Sequence, residues 1–321
     1  MILAYNLSNT VKANLDKIES LRTSLLTLPI SPKNELRLKW EASLQKTYWS
    51  LVLSANPLTK TQMTTILSKN ISVQTQTKLK KHQKEVINYK KALNYISTEW
   101  LVNGRPVTIN SFKALYDIAC KETISKPPNI TKAKKVKLTS LFEYLHSNSE
   151  SPVIQAGISQ IQMILIAPLN EGNGRLARLI PYLYLYKRGY DCRGMVVIDE
   201  YLGNDLVKLK LAIESVKKTN NLTLWLEYFT KGLLEQLQRA YDNASVYRFS
   251  SDLPQSYWKL NDRQKEVLDM LTLPGSRVTN KAVQMKFKVS QITASRDLSH
   301  LSSLDLTFVH GKGRSTYYVR A

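Results

Sequence analysis

Apolar residues recur at helical spacing through the first three quarters of the chain, and they predict a mainly α-helical protein. Val11, Leu15 and Ile18 begin the pattern. It predicts successive helices at residues 1–30, 34–55, 60–68, 78–99, 111–121, 132–147, 151–166, 174–188, 203–218 and 221–243. The turn Asn103-Gly104, between residues 100–102 and 107–109, predicts a small β-hairpin within this helical region.

The pattern changes beyond residue 243. Residues 244–258 are polar and aromatic and are interpreted as a linker. Three short helices are then predicted, at residues 261–271, from the cap Thr279 to Phe287, and from the cap Ser290 to Ser303. Residues 306–310 and 315–319 alternate around a Gly-Lys-Gly-Arg turn, which predicts a β-hairpin. Three helices followed by a two-stranded hairpin is the order of a winged helix-turn-helix.

The expected fold is therefore mainly α, with a helical core that carries a small β-hairpin and an α+β winged-helix domain at the C-terminus. The predicted domains are a helical N-terminal region at 1–100, the core at 101–243, the linker at 244–258 and the winged helix at 259–321.

The third helix of the winged domain predicts a DNA-binding surface, because the N-terminal half of such a helix enters the major groove. We expect DNA contacts from that helix and from the wing, and the candidate residues are Gln291, Thr293, Ser295, Arg296, Lys312 and Arg314. A winged helix that only binds proteins is the alternative. Winged helices often act as dimers, so a homodimer is also open, although no segment indicates its interface.

The formal net charge of +21 over 321 residues favours a polyanionic partner such as nucleic acid. A lysine-rich solvated surface would give the same composition.

Cys120 and Cys192 form neither a metal-binding spacing nor a disulfide framework, which suits a reducing cytoplasm. Polar residues interrupt the apolar stretches at the N-terminus and elsewhere, so neither a signal peptide nor a membrane span is expected.

The chemically richest stretch is residues 167–178, which lies between two apolar helical segments and predicts a helix, a tight loop and a second helix. Gly172 and Gly174 allow a sharp turn, and the following helix would direct its first N–H groups and its positive dipole end to one place. Such a place binds phosphate. Arg175 and Arg178 could pair with phosphate oxygens, and Glu171 could hold Mg²⁺.

This stretch resembles the signature of the Fic family, His-Pro-Phe-x-Asp/Glu-Gly-Asn-Gly-Arg-x-x-Arg, and the resemblance extends over roughly residues 35–243. Seven residues match it by position: Pro168, Glu171, Gly172, Asn173, Gly174, Arg175 and Arg178. The resemblance implies a protein adenylyltransferase fold that transfers AMP from ATP to a hydroxyl of a target protein, with ATP and Mg²⁺ as cofactors. By position, Glu171 would bind the metal, and Gly172 to Gly174 with the two arginines would bind the phosphates. Many bacterial Fic proteins also end in a winged helix.

Three departures from the family pattern bear on activity. Ala167 stands at the position of the catalytic histidine and has no proton acceptor. An upstream inhibitory motif places a glutamate against the second arginine, and its best match here, which begins at Ser50, has Ser54 at that position. The tyrosine pair that follows the motif helix in the family is also missing, since residues 199–215 contain only Tyr201.

These departures leave three hypotheses. The chain is a regulator, a pseudoenzyme that joins a phosphate-binding Fic fold to a DNA-binding domain. Alternatively, it is an AMP-transferase whose histidine was replaced by design. In the third hypothesis it is an interaction module that binds neither DNA nor nucleotide. The target protein is not readable from the sequence under any of them.

Overall fold

The computed structural model describes residues 2–68, 79–124, 130–147, 150–247, 260–271 and 276–320. The chain forms two compact units. The first, called the N-terminal unit, contains Met1–Thr27 and Leu38–Asn243, and the second, the C-terminal unit, contains Leu28–Arg37 and Ala244–Ala321. The region predicted at 1–100 is thus divided between the units. Most of the linker predicted at 244–258 lies outside the described residues.

The helices up to residue 245 follow the predicted order. They are α1 (Asn9–Thr27), α2 (Pro32–Val52), α3 (Lys60–Ser68), α4 (Lys81–Glu99), α5 (Ile109–Cys120), α6 (Lys132–Ser147), α7 (Pro152–Ile166), α8 (Asn173–Lys187), α9 (Ile198–Asn204), α10 (Leu206–Thr219) and α11 (Thr223–Ser245). The mainly helical fold class is confirmed. The helix predicted at 203–218 is divided at Asp205, whose side chain caps α10 by accepting from the Lys208 N–H.

The centre of the N-terminal unit is the antiparallel pair α7 and α8. Nearly every residue of α7 is buried, and α8 buries Leu176, Leu179, Ile180 and Leu183 completely. A helix that is apolar on all sides requires neighbours on all sides. Helix α6 packs against α7, and helices α4 and α5 pack against α8. The loop between α7 and α8 is consequently held at its base by a rigid helix pair.

Helix α11 covers α7 through a close approach at Gly157. The Trp225 indole N–H donates to the Gly157 carbonyl at 2.8 Å, and Trp225 is fully buried. A Cβ at Gly157 would lie 2.9 Å from the Phe229 ring, which is too close for an ordinary contact. Glycine at this position therefore lets the two helices meet.

The prediction of a β-hairpin around Asn103-Gly104 is wrong. Residues 101–108 form a turn and irregular backbone instead of paired strands. The N–H groups of Val102 and Asn103 donate to the carbonyls of Tyr186 and Lys187 at the end of α8. The backbone groups that a hairpin would have paired across its turn are thus bonded to a helix end.

In residues 260–271 and 276–320, the C-terminal unit contains the helices α12 (Asp262–Asp269), α13 (Asn280–Phe287) and α14 (Gln291–Ser303) and the strands β1 (Thr307–His310) and β2 (Tyr317–Arg320). The predicted caps are confirmed, since Thr279 and Ser290 accept from the N–H groups of Ala282 and Thr293. The strands pair antiparallel, with Phe308 opposite Val319. This unit has its own core, built from Leu260, Val267, Leu268, Leu271, Val278, Val283, Ala294, Leu298 and Leu301.

Candidate functional site

The motif loop, residues 167–172, begins where α7 ends. Ala167 is the C-cap and adopts the left-handed conformation, with φ 39° and ψ 64°. Its N–H donates to the Met163 carbonyl at 3.1 Å, and its side chain is half-buried. The methyl group that stands at the histidine position is therefore fixed by the helix end.

A side-chain clamp closes the loop. The Asn173 amide accepts from the Leu169 N–H at 2.9 Å and donates to the Leu169 carbonyl at 2.7 Å. Asn173 thereby joins Leu169 of the loop to the start of α8. The first N–H groups of α8 lie here, and they lack carbonyl partners within their own helix.

Gly172 is the N-cap of α8 and has φ 87°. A Cβ at this position would lie 2.7 Å from the Cys120 sulfur. Both the backbone conformation and the space therefore require glycine. Burial of Cys120 raises the pKa of its thiol to about 11, so the sulfur packs as a neutral group.

Gly172→Ala should lower the free energy of unfolding by roughly 2–4 kcal/mol, because left-handed strain and overpacking add. The matched control is Gly104→Ala, where no atom lies within 4 Å of the added methyl. Urea titrations of both variants provide the measurement. Equal stability of the two variants would contradict the close approach of Gly172 to Cys120.

Arg175 is turned into the protein and is only 7% exposed. Its guanidinium donates to the Ala119 carbonyl at 3.3 Å and to the Thr123 hydroxyl at 3.1 Å. One Arg175 nitrogen also lies 3.9 Å from a Glu85 carboxylate oxygen. The structure therefore places this predicted phosphate ligand among α4, α5 and α8.

Arg178 contacts α2 instead. Its Nε donates to the Ser50 hydroxyl at 2.8 Å, and one terminal nitrogen donates to the Ser50 carbonyl at 2.8 Å and to the Ser54 hydroxyl. Ser50 and Ser54, the residues singled out as the inhibitory-motif position, thus lie against the second motif arginine through neutral hydrogen bonds. The sequence placed Arg175 and Arg178 on nearly one helical face, but their guanidinium groups have different neighbours.

The negative charge beside Arg178 comes from Asp199, which the sequence analysis missed. Asp199 is 1% exposed, accepts from the Tyr182 hydroxyl at 2.8 Å, and has an oxygen 3.8 Å from Arg178 Nε. Burial raises the pKa of Asp199 to about 6, against the opposing effects of Arg178 and Tyr182. Lys46, also buried, donates to the Gly194 carbonyl at 2.7 Å, and burial lowers its pKa to about 8. No local pattern marks Asp199 as the partner of a residue 21 positions earlier.

The raised pKa of Asp199 predicts that the free energy of unfolding depends on pH. Because the pKa of Asp199 is higher in the folded protein than in the unfolded chain, the folded state holds the proton more tightly between about pH 4 and 6. The contribution of Asp199 to stability is therefore fully present below about pH 4 and is lost as pH rises through about 6. Relative to Asp199→Asn, the unaltered protein should gain about 1 kcal/mol between pH 7 and pH 5.

Chemical denaturation at several pH values measures this difference. The control is Asp16→Asn, at an exposed position of α1. Its stability should run parallel to that of the unaltered protein. A constant difference between the unaltered protein and Asp199→Asn from pH 5 to 7 would contradict the raised pKa of Asp199.

A second residue missed by the sequence analysis reaches the motif loop from α6. The Lys134 ammonium donates to the Ala167 carbonyl at 2.7 Å. Lys134 lies within a lysine-rich helix start, so nothing in its sequence context separates it from Lys132, Lys135 or Lys137. Beside the loop is a cavity of about 470 Å³ between α5 and α6, with Leu169 in its wall.

Glu171, the predicted metal ligand, is half-buried in the loop. Within the described ranges, no group of three or more His, Cys, Asp or Glu residues could form a metal site. A Mg²⁺ ion bound by one carboxylate and by substrate phosphates does not need such a group.

Among the helices that the structure describes, none is long and apolar enough to cross a membrane.

The predicted DNA-contacting residues lie in the C-terminal unit. Gln291, Ser295 and Arg296 are exposed on the first half of α14, and Thr293 is half-buried beside its cap. Lys312 is exposed in the turn between β1 and β2, and the side chain of Arg314 lies outside the described set. The Asn280 amide of α13 donates to the Ser295 hydroxyl at 2.8 Å and to the Gln291 carbonyl, which fixes the start of α14.

Comparisons with known proteins agree with the motif. No family model matches the chain. A curated relative, the protein adenylyltransferase Fic of Nematostella vectensis, is 22% identical over 198 residues, which are 55% of this chain and 45% of the relative. The match thus spans less than half the length of that relative.

Solved structures with the same fold include a Fic family protein from Desulfovibrio desulfuricans, with a TM-score of 0.65 and 13% identity over 99% of this chain and 97% of the other. Fic-1 of C. elegans aligns with a TM-score of 0.57 and 18% identity over 72% of this chain and 71% of the other. A Fic domain signaling protein from Bacteroides thetaiotaomicron aligns with a TM-score of 0.56 and 23% identity over 74% and 98% of the two chains. These likenesses show that the chain has the fold of Fic-domain proteins, and the curated relative is one of that family.

Proposed function

We propose that the chain binds ATP with Mg²⁺ at the motif loop and, with alanine at position 167, transfers AMP inefficiently and acts as a regulator. The observation that carries the proposal is the closed loop at the start of α8, where Gly172 has a left-handed backbone and Asn173 clamps Leu169. This arrangement suits phosphate, because backbone N–H groups and the positive end of the helix dipole meet there.

The residues have distinct roles in this proposal. The backbone from Gly172 to Gly174 would hold the phosphates, and Glu171 would hold the metal. Bound ATP would supply the AMP group, and Mg²⁺ would neutralise phosphate charge. The methyl group of Ala167 cannot accept a proton from a target hydroxyl, and loss of a general base slows such reactions by about 10²–10⁴. Nucleotide binding is then the activity that remains.

Calorimetry tests this function directly. The unaltered chain should bind ATP with Mg²⁺, and Glu171→Gln should weaken that binding roughly tenfold while leaving the binding of metal-free ATP unchanged. The control Asp16→Asn removes an exposed carboxylate from α1 and should change neither affinity. Failure of the unaltered chain to bind ATP would overturn the proposal and would favour an interaction module.

A second candidate function, DNA binding, is supported by the C-terminal unit. Three helices followed by the paired strands β1 and β2 support the predicted winged helix, and the first half of α14 is exposed. Residues 276–321 contain eight Lys or Arg against two Asp, and one of those two, Asp297, is paired with Arg263 at 2.5 Å. The exposed first half of α14 and the β1–β2 turn are therefore suited to a polyanion.

Fluorescence anisotropy with duplex DNA over a salt series tests this candidate. Binding should weaken steeply with salt, because Lys and Arg release counterions from phosphates. Arg296→Ala should weaken binding roughly tenfold, whereas Lys265→Ala, which removes an exposed lysine from α12, should have little effect. An absence of binding at low salt would exclude a DNA-binding role.

A further inference from the structure

The motif sequence supplies two arginines as candidate phosphate ligands, but in the structure both guanidinium groups are hydrogen-bonded elsewhere in the protein. The guanidinium of Arg175 donates to Ala119 and Thr123, and that of Arg178 donates to Ser50 and Ser54. Both arginines are bonded to neighbouring helices before any nucleotide arrives. A phosphate at the start of α8 would gain from a cation that lies nearer to the loop surface.

Lys134 has the required position. It lies in the first turn of α6, where its N–H bonds to the Thr131 hydroxyl at 3.4 Å, and its side chain is half-buried. Its ammonium is 2.7 Å from the carbonyl of Ala167, the first residue of the motif loop. Asn173 ties this end of the loop to the start of α8 through Leu169.

The chemistry of the ammonium allows a second contact. A lysine has three N–H donors and no acceptor, and the Ala167 carbonyl uses one donor. Two donors remain for phosphate oxygens. Because the ammonium is already oriented by Ala167, it loses little side-chain freedom when a ligand binds.

We propose that Lys134 is a phosphate-binding residue of the nucleotide site, which adds to the motif a cation from outside it. The inference rests on the proposed binding of ATP at the motif loop. The ligand class is a nucleoside polyphosphate, and the contribution of Lys134 grows with the number of phosphate charges near the loop.

The test is a calorimetric comparison of ATP, ADP and AMP binding to the full chain and its variants. Lys134→Gln keeps an N–H donor for the Ala167 carbonyl but removes the charge, whereas Lys134→Met removes both. Both variants should bind ATP roughly 10- to 100-fold more weakly than the unaltered chain, with smaller losses for ADP and AMP. Lys134→Arg should recover most of the affinity. Lys137→Met, which removes an exposed lysine from the same helix, should bind ATP normally.

The outcomes separate this inference from the function on which it rests. If the unaltered chain does not bind ATP, both are overturned. If Lys134→Gln binds ATP as tightly as the unaltered chain, this inference alone is overturned. A purely structural tether predicts another result: Lys134→Met would lower the melting temperature and weaken ATP, ADP and AMP equally, with normal affinity in Lys134→Gln. That pattern would also overturn the inference.

Discussion

Replacing Ala167 with histidine is expected to raise the rate of AMP transfer from ATP by about 10²–10⁴, the usual contribution of a general base. The backbone at position 167 already has the left-handed conformation, which histidine adopts more readily than most residues. The substitution therefore adds no backbone strain. It places an imidazole at the entrance of the loop, beside the proposed phosphate cradle.

The measurement is incorporation of labelled AMP into the protein itself and into proteins of a cell extract. Ala167→Gln is the matched control, since it fills similar space without a group that accepts a proton at neutral pH. Adding Glu171→Gln to Ala167→His should reduce the restored activity. If Ala167→His incorporates no more AMP than Ala167→Gln while both bind ATP, the missing histidine does not by itself explain the lack of AMP transfer. That result would strengthen the pseudoenzyme hypothesis.

Helices and caps were predictable because their signals are local. Apolar spacing located α4 to α8, and Thr279 and Ser290 begin helices through hydrogen bonds that span three residues. The motif loop was predictable for the same reason, since its clamp joins Asn173 to Leu169, four positions earlier. The local turn signal at Asn103-Gly104 led to a wrong prediction of a hairpin, because the backbone N–H groups there donate to carbonyls at the end of α8.

The family resemblance indicated Ser50 and Ser54 as neighbours of Arg178, but the other partners of the charged site residues were not predictable, because no local pattern marks them. Arg178 meets Asp199 across 21 positions, and Arg175 meets Thr123 across 52. Lys134 reaches Ala167 across 33 positions from a helix start rich in equivalent lysines. Helical spacing places Arg175 and Arg178 near each other, but long side chains pack against whichever helix the fold brings to them. The position of each guanidinium is therefore a property of tertiary packing.

Arg175→Met should lower the free energy of unfolding by about 3–5 kcal/mol, because it removes a buried guanidinium that lies 3.9 Å from a buried carboxylate. The carboxylate is Glu85, whose side chain is 11% exposed and whose second oxygen accepts from the Asn56 amide at 2.7 Å. The Ala119 carbonyl and the Thr123 hydroxyl would also lose a donor. The effect is expected even without nucleotide, which distinguishes it from the loss of a ligand contact.

A double-mutant cycle checks this assignment through urea unfolding. Glu85→Gln combined with Arg175→Met should be more stable than Arg175→Met alone, since the neutral amide needs no counter-charge. Arg188→Met, at the exposed end of α8, is the control and should change stability by less than about 0.5 kcal/mol. If Arg175→Met were as stable as that control but weakened ATP binding, the guanidinium would act on the nucleotide. A large loss of stability that Glu85→Gln partly reverses would instead establish Arg175 as the cation that joins α4 and α5 to α8, and the phosphates would then depend on the loop backbone and on charges from outside the motif.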